Sequence, residues 1–313
     1  MAMYQKAPIL FAVLGLSQAC ALAGGLPERH DPLVIGQTFE IRSAILNETR
    51  RINVYAPPAP RAPPDSDAQR LPVLYMPDGG IREDFLHIAG LIEVLVGDNS
   101  IRPWLLVGIE NTARRRDLTG PTDNAEDKKI AEHVGGSQCF RDFIREELMP
   151  EIHRRYKTTE EAGIVGESLA GLFVVESFVL EPDLFERYVA VDPSLWWNRR
   201  QLVAEARSRL SGHAFDGKSL YLAASPDADV MDFVQLLESG RAAGALAGID
   251  FQYRPFPEET HATIYHPAAL AAFRAILSKP PQPRTASPSP VSPPTSRRLA
   301  NGVCEARPPS ADR

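Results

Sequence analysis

A chain of 313 residues, 44% hydrophobic and 24% charged, has a globular composition and is long enough for one large domain or two small ones. Its formal net charge of −6 argues against nucleic-acid binding through a general basic field. The three cysteines, Cys20, Cys139 and Cys304, lack C-x-x-C spacing and point to neither a zinc site nor a redox pair.

Residues 1–23 read as a secretory signal: Lys6 supplies an early positive charge, Ala7 to Leu16 an apolar run, and Ala19 to Ala23 overlapping A-x-A sequences, with cleavage expected after Ala23. The apolar run is short of the ~20 residues that span a bilayer, so no stable membrane insertion is expected once it is removed. The expectation is therefore export, periplasmic or secreted. A cytoplasmic location is the alternative if the start is mis-called. Cys20 would leave with the signal, and Cys139 and Cys304 would meet an oxidising compartment.

From residue 34, Thr38–Ala44 and Arg51–Tyr55 alternate apolar with polar residues around a turn at Asn47-Glu48, predicting two antiparallel strands. Residues 57–70 read as an exposed loop. Pro72–Met76 is then a continuous apolar run, as in a strand buried on both faces, and it ends in Pro77-Asp78-Gly79-Gly80. A helix is expected from about Asp84 to Val96, a buried strand over Trp104–Ile109, and a polar loop over Asn111–Glu132. One long helix over Gln138–Tyr156 follows from Phe140, Phe143, Ile144, Leu148 and Ile152 at spacings of three and four.

Gly163-Ile164-Val165-Gly166-Glu167-Ser168-Leu169-Ala170-Gly171-Leu172 reads as strand, sharp turn and apolar helix. This is the layout of a nucleophile elbow, G-x-S-x-G, with Ala170 in the last place. Strands over 188–191, 219–224 and 251–256 alternate with helices near 200–210, 232–246 and 267–277. Such alternation means a mostly parallel sheet with helices on both faces, made mixed by the two leading strands. Residues 24–278 would form the folded domain, with no internal repeat. Residues 279–313, rich in Pro, Ser and Arg, have too little apolar surface to order and are expected to be a disordered tail.

A serine hydroxyl needs a base, and the base an orienting acid; on an elbow they follow in the order serine, acid, histidine. His261 sits in the polar loop after the last strand and is the expected base, whereas His266 reads as the start of a helix. For the acid, Asp227 is the first choice and Asp229 the second, both in the loop after 219–224. Asp192, at the preceding strand end, is a rival. Helix capping is the commoner use of such residues. Oxyanion donors are expected from the Leu169 N–H and from the turn carrying Gly79 and Gly80.

Several stretches carry a family resemblance: Arg51-Ile52-Asn53-Val54-Tyr55-Ala56-Pro57, Asp78-Gly79-Gly80, Asn111 to Thr119, Glu147-Leu148-Met149-Pro150, the elbow, and Asp192-Pro193-Ser194-Leu195-Trp196-Trp197. Across residues 34–278 the chain resembles the putative-esterase family of α/β-hydrolases, which includes esterase D-like and enterochelin-esterase-like enzymes. The resemblance implies an α/β-hydrolase fold, Ser168 as nucleophile, His261 as base and a small-molecule ester substrate, with no metal or cofactor. The match of Pro193–Trp197 to S-P-S-L-W-W leans towards the branch acting on ferric siderophore trilactones, some of whose members are described with a serine–histidine pair and a weakly defined acid. Asp192 in place of serine, Ala170 in place of glycine, and Gly120 ahead of Pro121 depart from the family pattern near the pocket rim.

Trp196 and Trp197 are expected to stack on aromatic acyl groups such as catechols, against the plainer reading of one core and one rim tryptophan. Arg116, with Arg114 and Arg115, could draw an anionic substrate or, as Arg116–Asp117, simply hold its loop. Together these features predict a serine ester hydrolase, with an acyltransferase or a non-catalytic binding protein as alternatives.

Overall fold

The computed structural model describes residues 31–58 and 70–278. The expected signal, the tail and most of the 57–70 loop lie outside them. The chain divides after Ile35; of the first unit only residues 31–35 are described, an exposed stretch without regular structure. The second unit carries an eight-stranded sheet in the order β1-β2-β4-β3-β5-β6-β7-β8.

Strands β1 (Gln37–Ser43) and β2 (Glu48–Tyr55) form an antiparallel hairpin, and β2 joins β4 (Leu105–Ile109) antiparallel. From β4 onward every pairing is parallel: β3 (Leu71–Pro77), β5 (Thr158–Glu167), β6 (Arg187–Val191), β7 (Ser219–Ala224) and β8 (Asp250–Pro255). This is the mixed, mostly parallel sheet of an α/β-hydrolase.

Period-two alternation divides each inner strand between two cores. Val73 and Tyr75 of β3 point into one, with Phe140, Phe173, Phe178 and Phe233. Leu74 and Met76 point into the other, with α1 (Phe85–Gly97) and α9 (Tyr265–Ile276). The first core is closed by α6 (Leu169–Leu180), α7 (Trp197–Leu210), α8 (Met231–Ala242) and the helical run from Ser137 to Arg155.

That run is not the single helix its periodicity predicts. It is α4 (Ser137–Phe143), a π-helical turn over Ile144–Leu148, and α5 (Met149–Arg155). Pro150 has no N–H to give back to the preceding turn, and the Met149 N–H reaches the Ile144 carbonyl instead. Glu147 within the π turn accepts from the N–H groups of Ala44 and Ile45 at 2.8 and 3.1 Å, tying the tip of the β1–β2 hairpin to this face. The predicted 111–132 loop contains two short helical turns, α2 (Arg114–Asp117) and α3 (Ala125–Lys128). Predicted to run to 246, α8 stops at Ala242, ahead of Gly244 in a left-handed conformation.

After β3 the chain moves outward to β4, then crosses back to β5 on β3's other side. The crevice at the carboxyl ends of β3 and β5 is thus a topological switch point, where open α/β sheets place ligands. Ser168 and Gly79 both lie there. Among the described residues no helix is long and apolar enough to cross a membrane.

Candidate active site

Three adjacent strands end in the same unusual way. Asp78 after β3, Ser168 after β5 and Asp192 after β6 all have positive φ, at 57°, 60° and 43°. Side chains rarely adopt this region, and each such residue turns its strand sharply out of the sheet. At the elbow the sequence permits this because α6 is pressed onto β5. A Cβ on Gly166 would stand 2.6 Å from the Ala170 carbonyl group, so only glycine fits there. The departure at Ala170 is accommodated, its methyl fully buried.

Ser168 Oγ lies 3.0 Å from His261 Nε2, and His261 Nδ1 lies 3.0 Å from Asp192 Oδ2. The carboxylate fixes the tautomer: Nδ1–H donates to Asp192, leaving Nε2 to accept from the serine hydroxyl. The Asp192 side chain is 0% exposed and also accepts from the Ser225 N–H and hydroxyl, each at 2.6 Å. Its position is therefore set from both β6 and β7.

The carboxylate that meets the His261 ring thus belongs to Asp192, the rival, and not to Asp227, the first expectation. Asp227 accepts instead from the His261 backbone N–H at 3.0 Å, anchoring the loop rather than the ring. Asp229, the second expectation, pairs with Arg200 at 2.6 Å at the surface. The reason is direction. The left-handed backbone at Asp192 turns its side chain across to β7, beneath the histidine loop.

Other expectations are also revised. Leu169 opens α6, where its N–H has no helical acceptor. The Gly79 N–H, however, continues the sheet ladder to the Ile109 carbonyl at 3.0 Å, and the Gly80 N–H donates to Glu83 at 2.7 Å. Gly79 itself passes so close to Gly108 that a Cβ would stand 2.3 Å from its backbone. Buried Asn53, from the Arg51–Pro57 stretch, props this turn by donating to the Gly79 carbonyl at 2.8 Å.

Trp196 is 48% exposed at the rim. Trp197 is buried and donates its indole N–H to the Gly120 carbonyl at 2.8 Å, so it belongs to the core rather than to a substrate face. Arg116 is likewise committed internally: its guanidinium bonds Glu48 at 2.8 Å and Asp117 at 2.7 Å, while buried Arg50 holds Asp117 from below. Burial of Arg116 works against its charge, and those two carboxylates more than compensate, raising its pKa. The arginine that reaches the rim is Arg114, in a two-pronged pair with Asp78 at 2.7 and 2.8 Å.

Sequence reasoning passed over Glu167, whose carboxylate stands 3.5 Å from His261 Nε2. Its place beside the nucleophile was the available signal, but strand-end residues alternate faces and spacing alone does not say which way it points.

The sequence matches the profile of the family described as "Putative esterase" over residues 43–225, more than half of the chain. Among curated proteins it is similar to the ferri-bacillibactin esterase BesA of Bacillus subtilis, 32% identical over 171 residues, covering 49% of this chain and 57% of that one. It is also similar to the siderophore triacetylfusarinine C esterase of Aspergillus fumigatus, 31% identical over 154 residues, 44% of this chain and 49% of the relative. The matches thus span about half the length of these relatives. Among solved structures, an IroE-like serine hydrolase from Shewanella oneidensis aligns with a TM-score of 0.65 at 27% identity, over 77% of this chain and 80% of that one. The siderophore hydrolase EstB of Aspergillus nidulans reaches the same TM-score at 21% identity, over 82% and 99%, a likeness of fold alone. The profile match, joined to the eight-stranded sheet and its elbow, shows that this chain belongs to that esterase family and has the α/β-hydrolase fold.

Proposed function

We propose that this protein hydrolyses carboxylic esters through an acyl-enzyme on Ser168, with His261 as base and Asp192 as the orienting acid. The observation that carries the reading is the unbroken relay from Ser168 Oγ to His261 to Asp192, both links at 3.0 Å. His261 Nε2 takes the serine proton as Oγ attacks the carbonyl carbon, then returns it to the leaving alcohol; a water repeats the sequence to release the acid. Asp192 stabilises the imidazolium without taking its proton. The Leu169 N–H serves the oxyanion.

The substrate class is a siderophore-type ester or lactone, supported by the names of the relatives and by Trp196 and Arg114 on the rim. Trp196 offers a face for an aromatic acyl group, and Trp196→Ala is expected to raise KM for aromatic acyl esters about tenfold while leaving acetyl esters little changed. The His261 side chain is 48% exposed, so water reaches it for deacylation. Export, periplasmic or secreted, is supported by the signal-like pattern of residues 1–23.

The test is direct. Purified protein should turn over short p-nitrophenyl esters, and a fluorophosphonate should label wild type but not Ser168→Ala. Ser168→Ala and His261→Ala should each lose about 10⁴-fold or more in kcat. A Ser168→Ala enzyme of ordinary activity would sink the proposal. Ferric trilactone siderophores set against simple acyl esters and thioesters then read the substrate class, and added acceptor alcohols reveal any transferase product.

A further inference from the structure

His261 Nε2 faces two oxygens: Ser168 Oγ at 3.0 Å and Glu167 Oε1 at 3.5 Å. Glu167 closes β5 in register with Val191, and its side chain is only 18% exposed. No hydrogen-bond donor among the described residues reaches its carboxylate. The charged groups around it are His261 from the β8–α9 loop, Arg114 from α2, and Asp84 and Asp78 from the turn after β3. Asp192 lies on the far side of the ring. Burial pushes the Glu167 carboxyl up to about 7; His261 and Arg114 pull it down, and Asp84 and Asp78 push it further up.

We propose that Glu167 is a positioning residue for His261: as the anion it receives the Nε2–H of the imidazolium between the two proton transfers, steadying the ring. The proposal rests on the reading of Ser168 and His261 given above.

The proton balance is simple. As the Oγ–carbon bond forms, the carbonyl π pair moves to oxygen and the serine proton passes to Nε2. The new N–H then has two acceptors, the leaving oxygen and Glu167 Oε1. When the adduct collapses, the bond to the leaving oxygen breaks and the proton goes with that oxygen. Glu167 neither gains nor loses a proton over the cycle. At 3.5 Å a small tilt of the ring is enough to bring Nε2–H within hydrogen-bond range of the carboxylate. An anion at that distance favours the charged ring, so removing it must ease the ring's deprotonation.

The experiment compares wild type, Glu167→Gln and Glu167→Asp in two readouts. One is NMR titration of the His261 imidazole without substrate; the other is the pH profile of kcat/KM. Glu167→Gln is expected to move both the ring titration and the acid limb downward by about 0.3 of a pH unit, because Glu167 is itself partly protonated over that range. Glu167→Asp keeps the charge but withdraws it by a methylene, so its shift should be smaller and in the same direction. A structural role alone would alter rates without moving the titration. If Ser168→Ala and His261→Ala are inactive yet both Glu167 variants titrate as wild type, the role assigned to Glu167 is overturned and the hydrolase reading stands. If Ser168→Ala remains active, the hydrolase reading itself fails. Should Glu167→Gln not fold, an unmoved limb in Glu167→Asp overturns the proposal.

Discussion

Two carboxylates flank one imidazole, and they are held in opposite ways. Asp192 sits behind the ring, fully buried, with donors from Ser225 and His261 on both oxygens. Glu167 sits in front, mostly buried, with no hydrogen-bond donor among the described residues and a pKa pushed up to about 7. Burial is common to both; the supply of donors is not. A desolvated carboxylate fixed by donors becomes a rigid orienting group, whereas one left without them becomes titratable near neutral pH.

The sharpest way to break this comparison is to neutralise the rear carboxylate. Asp192→Asn should lower kcat about 10⁴-fold, because an amide no longer fixes the Nδ1–H tautomer and cannot accept from all of its present donors. If activity stays within tenfold of wild type, the rear carboxylate has no special standing.

The front carboxylate should show itself next, in stability rather than rate. Its folded pKa lies above the value of about 4.3 expected in the unfolded chain, so the folded state binds the proton more tightly and loses stability as pH rises from about 4 to 7. Glu167→Gln removes that penalty. It should be more stable than wild type by about 1 to 3 kcal/mol at pH 8 and nearly equal to it at pH 4. Thermal melts at the two pH values check this, and equal gains at both would refute it.

The smallest effect belongs to Asp227. Asp227→Asn keeps an oxygen for the His261 backbone N–H, so a loss below about tenfold in kcat/KM is expected. A loss matching Asp192→Asn would return Asp227 to first place among the acids.

These contrasts also show what one sequence can carry. The elbow was legible because it is local: small residues at Gly166, Ala170 and Gly171 are required by the contact of α6 with β5 and β6. The histidine followed from chain order and the position of the last loop. Asp192 and Asp227 could not be separated, since both stand at the carboxyl ends of neighbouring strands. What divides them is a backbone dihedral, which no residue pattern specifies.

The two side chains misassigned to a substrate face, Trp197 and Arg116, turn inward to partners 77 and 68 positions away in the chain, Gly120 and Glu48. The long amphipathic helix was read correctly as apolar on one face. Its break at the π turn follows from Pro150, a single residue that periodicity does not weigh.

The left-handed backbone at Ser168 has an evolutionary consequence. With φ 60° and ψ −119°, this position has the dihedrals that a type II′ turn gives to glycine. Ser168→Gly should therefore melt higher than the equally inactive Ser168→Ala, by about 1 kcal/mol. Selection for robustness alone would drift the chain toward a quiet, glycine-bearing relative of itself. Only the demand for turnover keeps a side chain at the one point where the backbone is better off without one.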